Sequence, residues 1–491
     1  MGIFSWLKPK DLPVSPSVTP DIKYLEKLLN MWIDSEQRKN MLLGERYYLG
    51  KHDILSRERT VINESGGKDV VHNLPNNRLV DNQYKKLVDQ KTNYALGKPI
   101  TVSTSDDAYL EELTKIFDKR MAMCIRRMCK CAVNYGIGWM HPYVDEAGDF
   151  CTAIFPSYEV CPVWTDASHT KLAGAVRLYQ QDVFDNGSIR AVERVEVYTK
   201  NGIDRFVRQG GSLIPDNSAP HTDYLLVNGQ PANWNRIPLI PFRYNEDEIP
   251  LIQNVKCLQD SLNQVLSDFQ NNMEEDPRNT ILIIKNYDGT DLGTFRKNLA
   301  TYGAVKVQTV DGVQGGIDTL KVDVNAQNYQ AILMQLKRAI MENGRGFDAK
   351  EERMDGDPNQ MNIESMYTDI DLDIDTMESE FQAGLGELKW FIDTYLAANG
   401  VGDFSDTKVE FVFNRDIFIN EDATIDACVK SVGIISKQTI LSKHPWVSDV
   451  QRELSLLEED KQQEMDEMEQ FNEIKANTDT GNSGNDSGSG D

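Results

Sequence analysis

Two apolar stripes at helical spacing constrain this chain more than any other feature. The first holds Leu251, Val255, Leu258, Leu262, Val265, Leu266 and Phe269; the second holds Tyr329, Ile332, Leu333, Leu336 and Ile340. Apolar residues three and four apart line one face of a helix and must be buried, so helices are expected over 251–275 and 326–343. Pro277 stops the first, and Asn343-Gly344 ends the second with residues suited to a left-handed cap. Between them the period changes to a strand over 281–285, a short helix over 291–301, a strand over 304–308 and a Gly-rich strand pair ending near Val324. Two antiparallel helices should therefore carry a small α+β module, 277–324, at their tips.

On the amino-terminal side, residues 9–20 are rich in Pro and Ser and read as an irregular arm. Helical patterns follow over 21–49 and 75–96, the latter stopped by Gly97 and Pro99. Residues 106–134 read as one or two helices with Leu110, Leu113, Ile116, Phe117, Met121, Ile125 and Met128 facing inward. From 138 to 244 short alternating segments dominate, including 194–199 and 203–208 around Asn201-Gly202, a favoured hairpin turn. On the carboxy-terminal side, 345–362 is polar and aperiodic, a long loop of the kind that is usually functional. A long helix over 363–398 contains Gly384 and Gly386, where a kink is expected. A strand over 408–413 and short helices punctuated by Gly433 and Pro445 come next. Ser448 with Gln451 resembles a capping box opening an acidic helix to about 471, and the Gly/Ser/Asn/Asp-rich end reads as disordered. No apolar run reaches the ~18–20 residues of a membrane span. The first twenty residues do not form a secretory signal, and Trp6 stands where myristoylation wants Ser or Thr.

The 491 residues hold 77 acidic and 52 basic side chains, a formal net charge of −25. That excess argues against a tight, sequence-reading nucleic-acid binder, which needs Lys and Arg to displace phosphate counterions. The charge is segregated: 345–403 holds 15 acids and 4 bases, 452–491 holds 12 acids and 3 bases, and the rest of the chain carries only −5. Two basic outliers oppose it. Residues 76–100 contain Arg78, Lys85, Lys86, Lys91 and Lys98 against Asp81 and Asp89, and 119–131 contain Lys119, Arg120, Arg126, Arg127 and Lys130 with no acid. Such segregation suits either solvated helix faces or complementary faces between copies of one chain.

Catalytic signatures are missing. The sequence has no phosphate-binding Gly-x-x-x-x-Gly-Lys-Ser/Thr, no Gly-x-Ser-x-Gly and no His-Glu-x-x-His. Asp369, Asp371, Asp373, Asp375 and Glu380 match a calcium-loop spacing, but Ile374 stands where that loop requires Gly. On a helix instead, Asp369/Asp373 and Asp371/Asp375 are like-charge pairs that repel unless a base lies opposite. Cys124, Cys129 and Cys131 do not converge on one tetrahedral metal at their helical spacing, and the seven cysteines read as reduced thiols. No cofactor or metal is expected.

Four segments resemble one family, the portal proteins of tailed bacteriophages, in the branch common among phages of Gram-positive hosts. They are YYLGKHDIL (47–55), NNRLVDNQYKKLVDQKTNYALGKPI (76–100), DPNQMNIESMYTDIDLD (357–373) and VGIISKQTILSKHPWVSDVQREL (432–454), in that order. The resemblance spans about 25–470 and implies a mainly helical α+β portal fold, assembled as a ring of about a dozen copies. It implies an arm (1–20), a wing (21–250), stem helices (251–276 and 325–344), a clip (277–324) and a channel loop (345–362). A long wing helix and strand (363–415), a helical crown (416–472) and an acidic tail (473–491) complete it. Many relatives carry a small Ser-Gly-type pair where this chain has Asn362-Ile363-Glu364-Ser365, so details of that junction are not carried over.

The resemblance further implies a non-enzymatic conduit at the capsid vertex of the virion, assembled in the host cytoplasm. Double-stranded DNA would pass through it, and its partners would be the terminase large subunit, a neck or head-completion adaptor, and the major capsid and scaffolding proteins. Channel-loop candidates are Arg345, Lys350, Arg353, Asn359 and Gln360; subunit-interface candidates are Arg126, Arg127, Asp371 and Asp375, the basic segment facing 369–380 of the next copy. The rival readings are an acidic helical adaptor that forms no ring and a metal-dependent enzyme using Asp369, Asp371, Asp373 and Asp375.

Overall fold

The computed structural model describes residues 21–62, 66–71, 74–185, 187–227, 230–275, 281–285, 291, 293, 301, 316–320, 326–348, 360–415, 421–447, 450, 452–463 and 465. The chain is mixed α+β with antiparallel sheets and divides into two compact units, residues 1–348 with 369–416, and 349–368 with 417–491.

In the first unit, helices α1 (Ile22–Asp34) and α2 (Glu36–Tyr48) replace the single helix expected over 21–49. Ser35 divides them. Its backbone turns to the extended region and its hydroxyl accepts the Arg38 N–H at 3.2 Å, so it caps α2. Helix α3 (Gln83–Leu96) starts eight residues later than expected, at an Asn82 cap that accepts the Lys85 N–H. Helices α4 (Asp107–Ile116) and α5 (Lys119–Tyr135) are separate, capped by Asp106 and Asp118. Met121, Ile125 and Met128 of α5 are buried while Arg120, Arg126 and Arg127 are exposed, so the sequence stripe marks the inner face.

The β-rich region forms three sheets. The largest has the strand order β10 (Ser212–Pro215), β9 (Gly202–Gln209), β8 (Ser188–Thr199), β7 (Leu172–Asp185), β6 (Val160–Trp164), with β11 (His221–Thr222) added beside β9. The second is β14 (Ile240–Arg243), β4 (Ile137–Val144), β5 (Phe150–Phe155), and the third pairs β12 (Leu225–Val227) with β13 (Gln230–Ala232). The centre of the largest sheet is the long hairpin of β7 and β8, and β8 pairs in turn with β9. The second hairpin differs from expectation by one residue. Thr199 pairs with Gly202, so the two-residue loop is Lys200–Asn201 and Gly202 opens the strand at φ +121°. Glycine is required there because a Cβ would lie 2.6 Å from the Thr222 carbonyl of β11. Leu25, Leu29 and Trp32 of α1 pack on Val176, Val195, Val197 and Phe206 of the largest sheet and form the core of this region.

Helices α6 (Ile252–Glu275) and α7 (Ala326–Asn343) occupy the two stripe positions and pack against each other. Between them β15 (Ile281–Lys285) pairs antiparallel with β16 (Gly316–Leu320). The helix expected over 291–301 and the strand over 304–308 fall almost wholly outside the described residues. Helix α8 (Gln360–Ala398) starts three residues before the expected 363 and passes through Gly384 and Gly386 without interruption. Its buried side is Ile370, Ile374, Met377, Phe381, Leu385, Leu388, Phe391, Ile392 and Leu396. Strand β17 (Val409–Val412) pairs with β3 (Thr101–Thr104).

In the second unit, helices α9 (Glu421–Lys430) and α10 (Lys437–Lys443) pack together, α10 is capped by Ser436, and residues 452–463 are helical. Ser448 and Gln451, the expected capping box, lie outside the described residues, as do the arm 1–20 and the tail 473–491. Among the described residues no helix is long and apolar enough to cross a membrane.

Candidate functional site

The acidic face of α8 is where distant parts of the first unit converge. Asp373 is nearly buried and its Oδ2 accepts the Lys91 Nζ at 2.6 Å and the Tyr244 hydroxyl at 2.6 Å, while Arg345 Nη1 stands 3.6 Å from Oδ1. Lys91 has no exposed side-chain surface. Burial pulls its pKa below the ordinary 10.5, against the opposing pull of Asp373. Its ammonium also donates to the Arg345 carbonyl at 3.0 Å.

Two residues to either side of Asp373, Asp371 accepts the Tyr94 hydroxyl and pairs with Arg415 Nη1 at 2.9 Å, and Arg415 Nη2 reaches Asp375 and, at 2.7 Å, Glu378. Burial opposes the Arg415 charge, but hydrogen bonds to Glu378 and Asp375 outweigh it and raise its pKa. Glu380 faces Arg243 at 3.5 Å. The bases that relieve the like-charge helix face thus come from this same chain, and Asp371 and Asp375 are engaged within it. The whole 369–380 segment is helical, not a cation-binding loop, and among the described residues no group of three His, Cys, Asp or Glu could hold a metal ion. All seven cysteines are free, and burial pushes the Cys129 and Cys161 thiols up to about 12.

This hub grips the chain where it leaves α7. Gly346 N–H bonds to the Met341 carbonyl at 2.9 Å and Arg345 N–H to the Glu342 carbonyl at 3.1 Å, which closes the helix with Arg345 in the left-handed region at φ +48°. The glycine expected to take that conformation, Gly344, serves another need. A Cβ on Gly344 or Gly346 would lie 2.5 or 2.4 Å from a Leu87 methyl, so both glycines admit α3 and the strain falls on Arg345. Gln90 of α3 then binds both backbone groups of Phe347, donating to its carbonyl at 2.8 Å and accepting its N–H at 3.1 Å. Residues 344–347 are tied to α3 by three hydrogen bonds, two with Gln90 and one with Lys91, with Leu87 beside both glycines.

A second junction explains why 77–82 is not helical. On α6, Gln259, Asn263, Ser267 and Asn271 recur every four residues and are all buried. They accept, in turn, the backbone N–H of Tyr84 at 3.0 Å, Asp81 at 3.0 Å, Leu79 at 2.9 Å and Asn77 at 2.7 Å. An extended segment whose N–H groups are satisfied by a helix face gains nothing by coiling. The 47–55 segment closes the same junction: Tyr47 donates to Asp260 at 2.5 Å, Tyr48 to Asp89 at 2.8 Å, and His52 Nδ1 accepts from Asn263 at 2.8 Å.

Of the sequence-predicted positions, Arg345 belongs to the segment 344–347 held by α3, and Gln360 is the first residue of α8. Lys350, Arg353 and Asn359 lie outside the described residues. Arg126 and Arg127 are exposed on α5, Arg126 donating to the Asn93 side chain. Lys91, Tyr94, Gln90, Tyr244 and Arg415 were not legible as a group, since they come from three separate segments, α3, the end of the β-rich region and the stretch after β17. The polar ladder of α6 was likewise missed, although its four-residue repeat of Gln259, Asn263, Ser267 and Asn271 is the signal that could have found it.

Known proteins resemble the chain along nearly its whole length. The family model described as phage portal protein, SPP1 Gp6-like, matches residues 32–467. The portal protein of Bacillus phage SPP1 is 29% identical over 464 residues, which cover 93% of this chain and 88% of that protein. The portal protein of Clostridium phage phiCD119 is 27% identical over 444 residues, covering 87% of this chain and 94% of that one. The segments that build both junctions, 47–55, 76–100 and 369–373, lie inside the matched range, and the chain belongs to the SPP1 Gp6-like family of phage portal proteins.

Proposed function

We propose that about a dozen copies of this chain close into a ring at one capsid vertex, through which double-stranded DNA enters the head and later leaves it. The observation that carries this reading is the family match over residues 32–467. As a portal protein the chain is a non-enzymatic component of the virion that serves DNA packaging. In the ring, residues 21–250 with the long helix form the wing, α6 and α7 the stem, 277–324 the clip, and 416–472 the crown. The terminase large subunit docks on the clip during packaging and the neck adaptor takes its place afterwards, while the wing meets the major capsid and scaffolding proteins.

Acidity suits such a conduit. A lining dense in Lys and Arg would hold DNA through many phosphate contacts, each salt-dependent, and would impede sliding. Sparse contacts from 345–362, with Lys350, Arg353, Asn359 and Gln360 reaching the DNA, keep that friction low. The Lys91–Asp373 hub supports this reading by fixing the first residues of the segment, 344–347, to the wing helix α3. Arg345 serves as part of this anchor, and Lys350 and Arg353 carry the charge that meets phosphate. Phage lacking the chain should build heads without DNA, restored when the chain is supplied. Supply of a Lys350→Ala/Arg353→Ala chain should leave heads empty, and normally filled heads would refute the loop's part in packaging.

A further inference from the structure

The two basic outliers of the sequence, separated by 18 residues and opposite to the chain's overall charge, meet in the fold. Helices α3 and α5 pack together, Arg126 of α5 donates to Asn93 of α3, and Lys85 and Lys130 lie 5.5 and 5.1 Å from the centre of the Tyr48 ring between them. The resulting surface carries Lys85, Lys119, Arg120, Arg126, Arg127 and Lys130. None of the six has an ion pair among the described residues, whereas Lys91, Arg177, Arg194, Arg208, Arg243 and Arg415 of the same unit all do. In the middle of the basic residues of α5 stands Met123, 57% exposed.

Four cations of α5, Lys119, Arg120, Arg126 and Arg127, each three or four residues from the exposed methionine, specify the occupant together with Lys85 and Lys130, none of the six being ion-paired among the described residues. A phosphate backbone would meet the charges but offers nothing to the methionine, whereas a protein surface with carboxylates around an apolar contact satisfies both. The chain supplies such a surface itself. Asp107, Asp403, Asp406 and Glu410 are exposed and have no cationic partner among the described residues. They gather where Tyr109 stacks on Phe404 at 4.4 Å and where Glu410 of β17 pairs with Ser103 of β3. Val412 of the same strand is 46% exposed beside them, and Lys408 is the one base in this stretch. The carboxylates of 369–380, by contrast, are largely taken by Lys91, Arg243 and Arg415.

We propose that the α3–α5 surface receives the acidic 403–410 surface of a neighbouring copy of this chain. A basic face and an acidic face on one subunit make a head-to-tail contact, the type that generates rings when the rotation closes. The inference rests on the ring reading and adds to it the pair of surfaces that meet.

Assembly of the full-length chain, followed by mass photometry over a range of concentrations and at low and high NaCl, tests it. Arg126→Glu/Arg127→Glu should raise the concentration of half-assembly by about tenfold or more, most strongly at low salt, because like charges then face each other. Circular dichroism and the thermal midpoint should match the parent. Adding Asp403→Lys and Asp406→Lys to that variant should restore assembly. The proposal is overturned if the Glu variant assembles like the parent, if the added Lys pair does not rescue it, or if the variant keeps its ring but loses retention of a short DNA duplex in a gel shift. Failure of the parent chain to form any oligomer would instead strike the ring reading, a result visible without the variants.

Discussion

Replacing Asp373 by Asn keeps the side-chain shape and removes the charge, which isolates what the buried pair contributes. In the parent, Asp373 Oδ2 is shared by Lys91 Nζ and the Tyr244 hydroxyl, both at 2.6 Å, and Lys91 has no exposed surface through which water could replace it. Asn retains an acceptor for Tyr244 but leaves the ammonium without a counter-ion in a low-dielectric site. Breaking a buried pair in this way costs about 3–5 kcal/mol. The sign of the pH dependence follows from the lowered Lys91 pKa. Below the unfolded value of 10.5 the unfolded chain binds the proton more readily than the folded one, so stability rises as pH climbs toward 10.5. In Asp373→Asn the lysine is still harder to protonate, and the deficit should be largest near neutrality and shrink toward alkaline pH. Urea unfolding of the parent, Asp373→Asn and Lys91→Met/Asp373→Asn, followed by tryptophan fluorescence, measures the cost. Hydrogen exchange at the Gly346 and Phe347 amides reports whether 344–347 loosens. The double variant should recover most of the loss, since no charge is then stranded. A cost below about 1 kcal/mol for Asp373→Asn, or a double variant no better than the single, would refute the hub as an electrostatic anchor.

Asn263→Ala would strand the Asp81 N–H and the His52 Nδ1 acceptor, at a cost of about 2–4 kcal/mol, with faster amide exchange at Asp81 and Leu79; unchanged exchange there would deny the α6 ladder its role. Arg415→Ala should cost about 1–2 kcal/mol by returning Asp371, Asp375 and Glu378 to mutual repulsion, and raising NaCl should restore part of it, so a salt-independent loss would contradict the account. Burial holds His141 neutral, its pKa lowered from 6.5 to about 4 with Nδ1 donating to the Pro238 carbonyl at 2.6 Å. The unfolded chain takes up the proton first as pH falls from 6.5 to 4, so stability should drop across that window by at most about 3 kcal/mol, and His141→Gln should flatten the drop.

Much of the fold could be read along the chain because it follows from local period. The stripe of α6, the inward face of α5 and the alternating β-rich region carry their burial pattern in adjacent residues, whereas α7 forms where its stripe predicts but buries only Ile340 of it and leaves Ile332 46% exposed. What escaped was set by partners remote in sequence. Residues 75–82 look helical until Gln259, Asn263, Ser267 and Asn271 take up their backbone donors from more than 170 positions away. The sequence left open which bases lie opposite the Asp cluster of α8, because Lys91 and Arg415 stand 282 and 44 residues from the carboxylates they pair with. Gly344 looked like the left-handed cap, since nothing local announces that Leu87 needs the space its Cβ would fill. Ser35 is the opposite case, a capping signal in plain view that a continuous apolar pattern concealed.

The ring is the claim on which the functional account stands, and one measurement addresses it directly. Negative-stain microscopy with mass photometry of the purified full-length chain should show annular particles with a central hole and a mass roughly a dozen times the 55.7 kDa of the subunit. A single species of 55.7 kDa at every concentration and salt condition would contradict it.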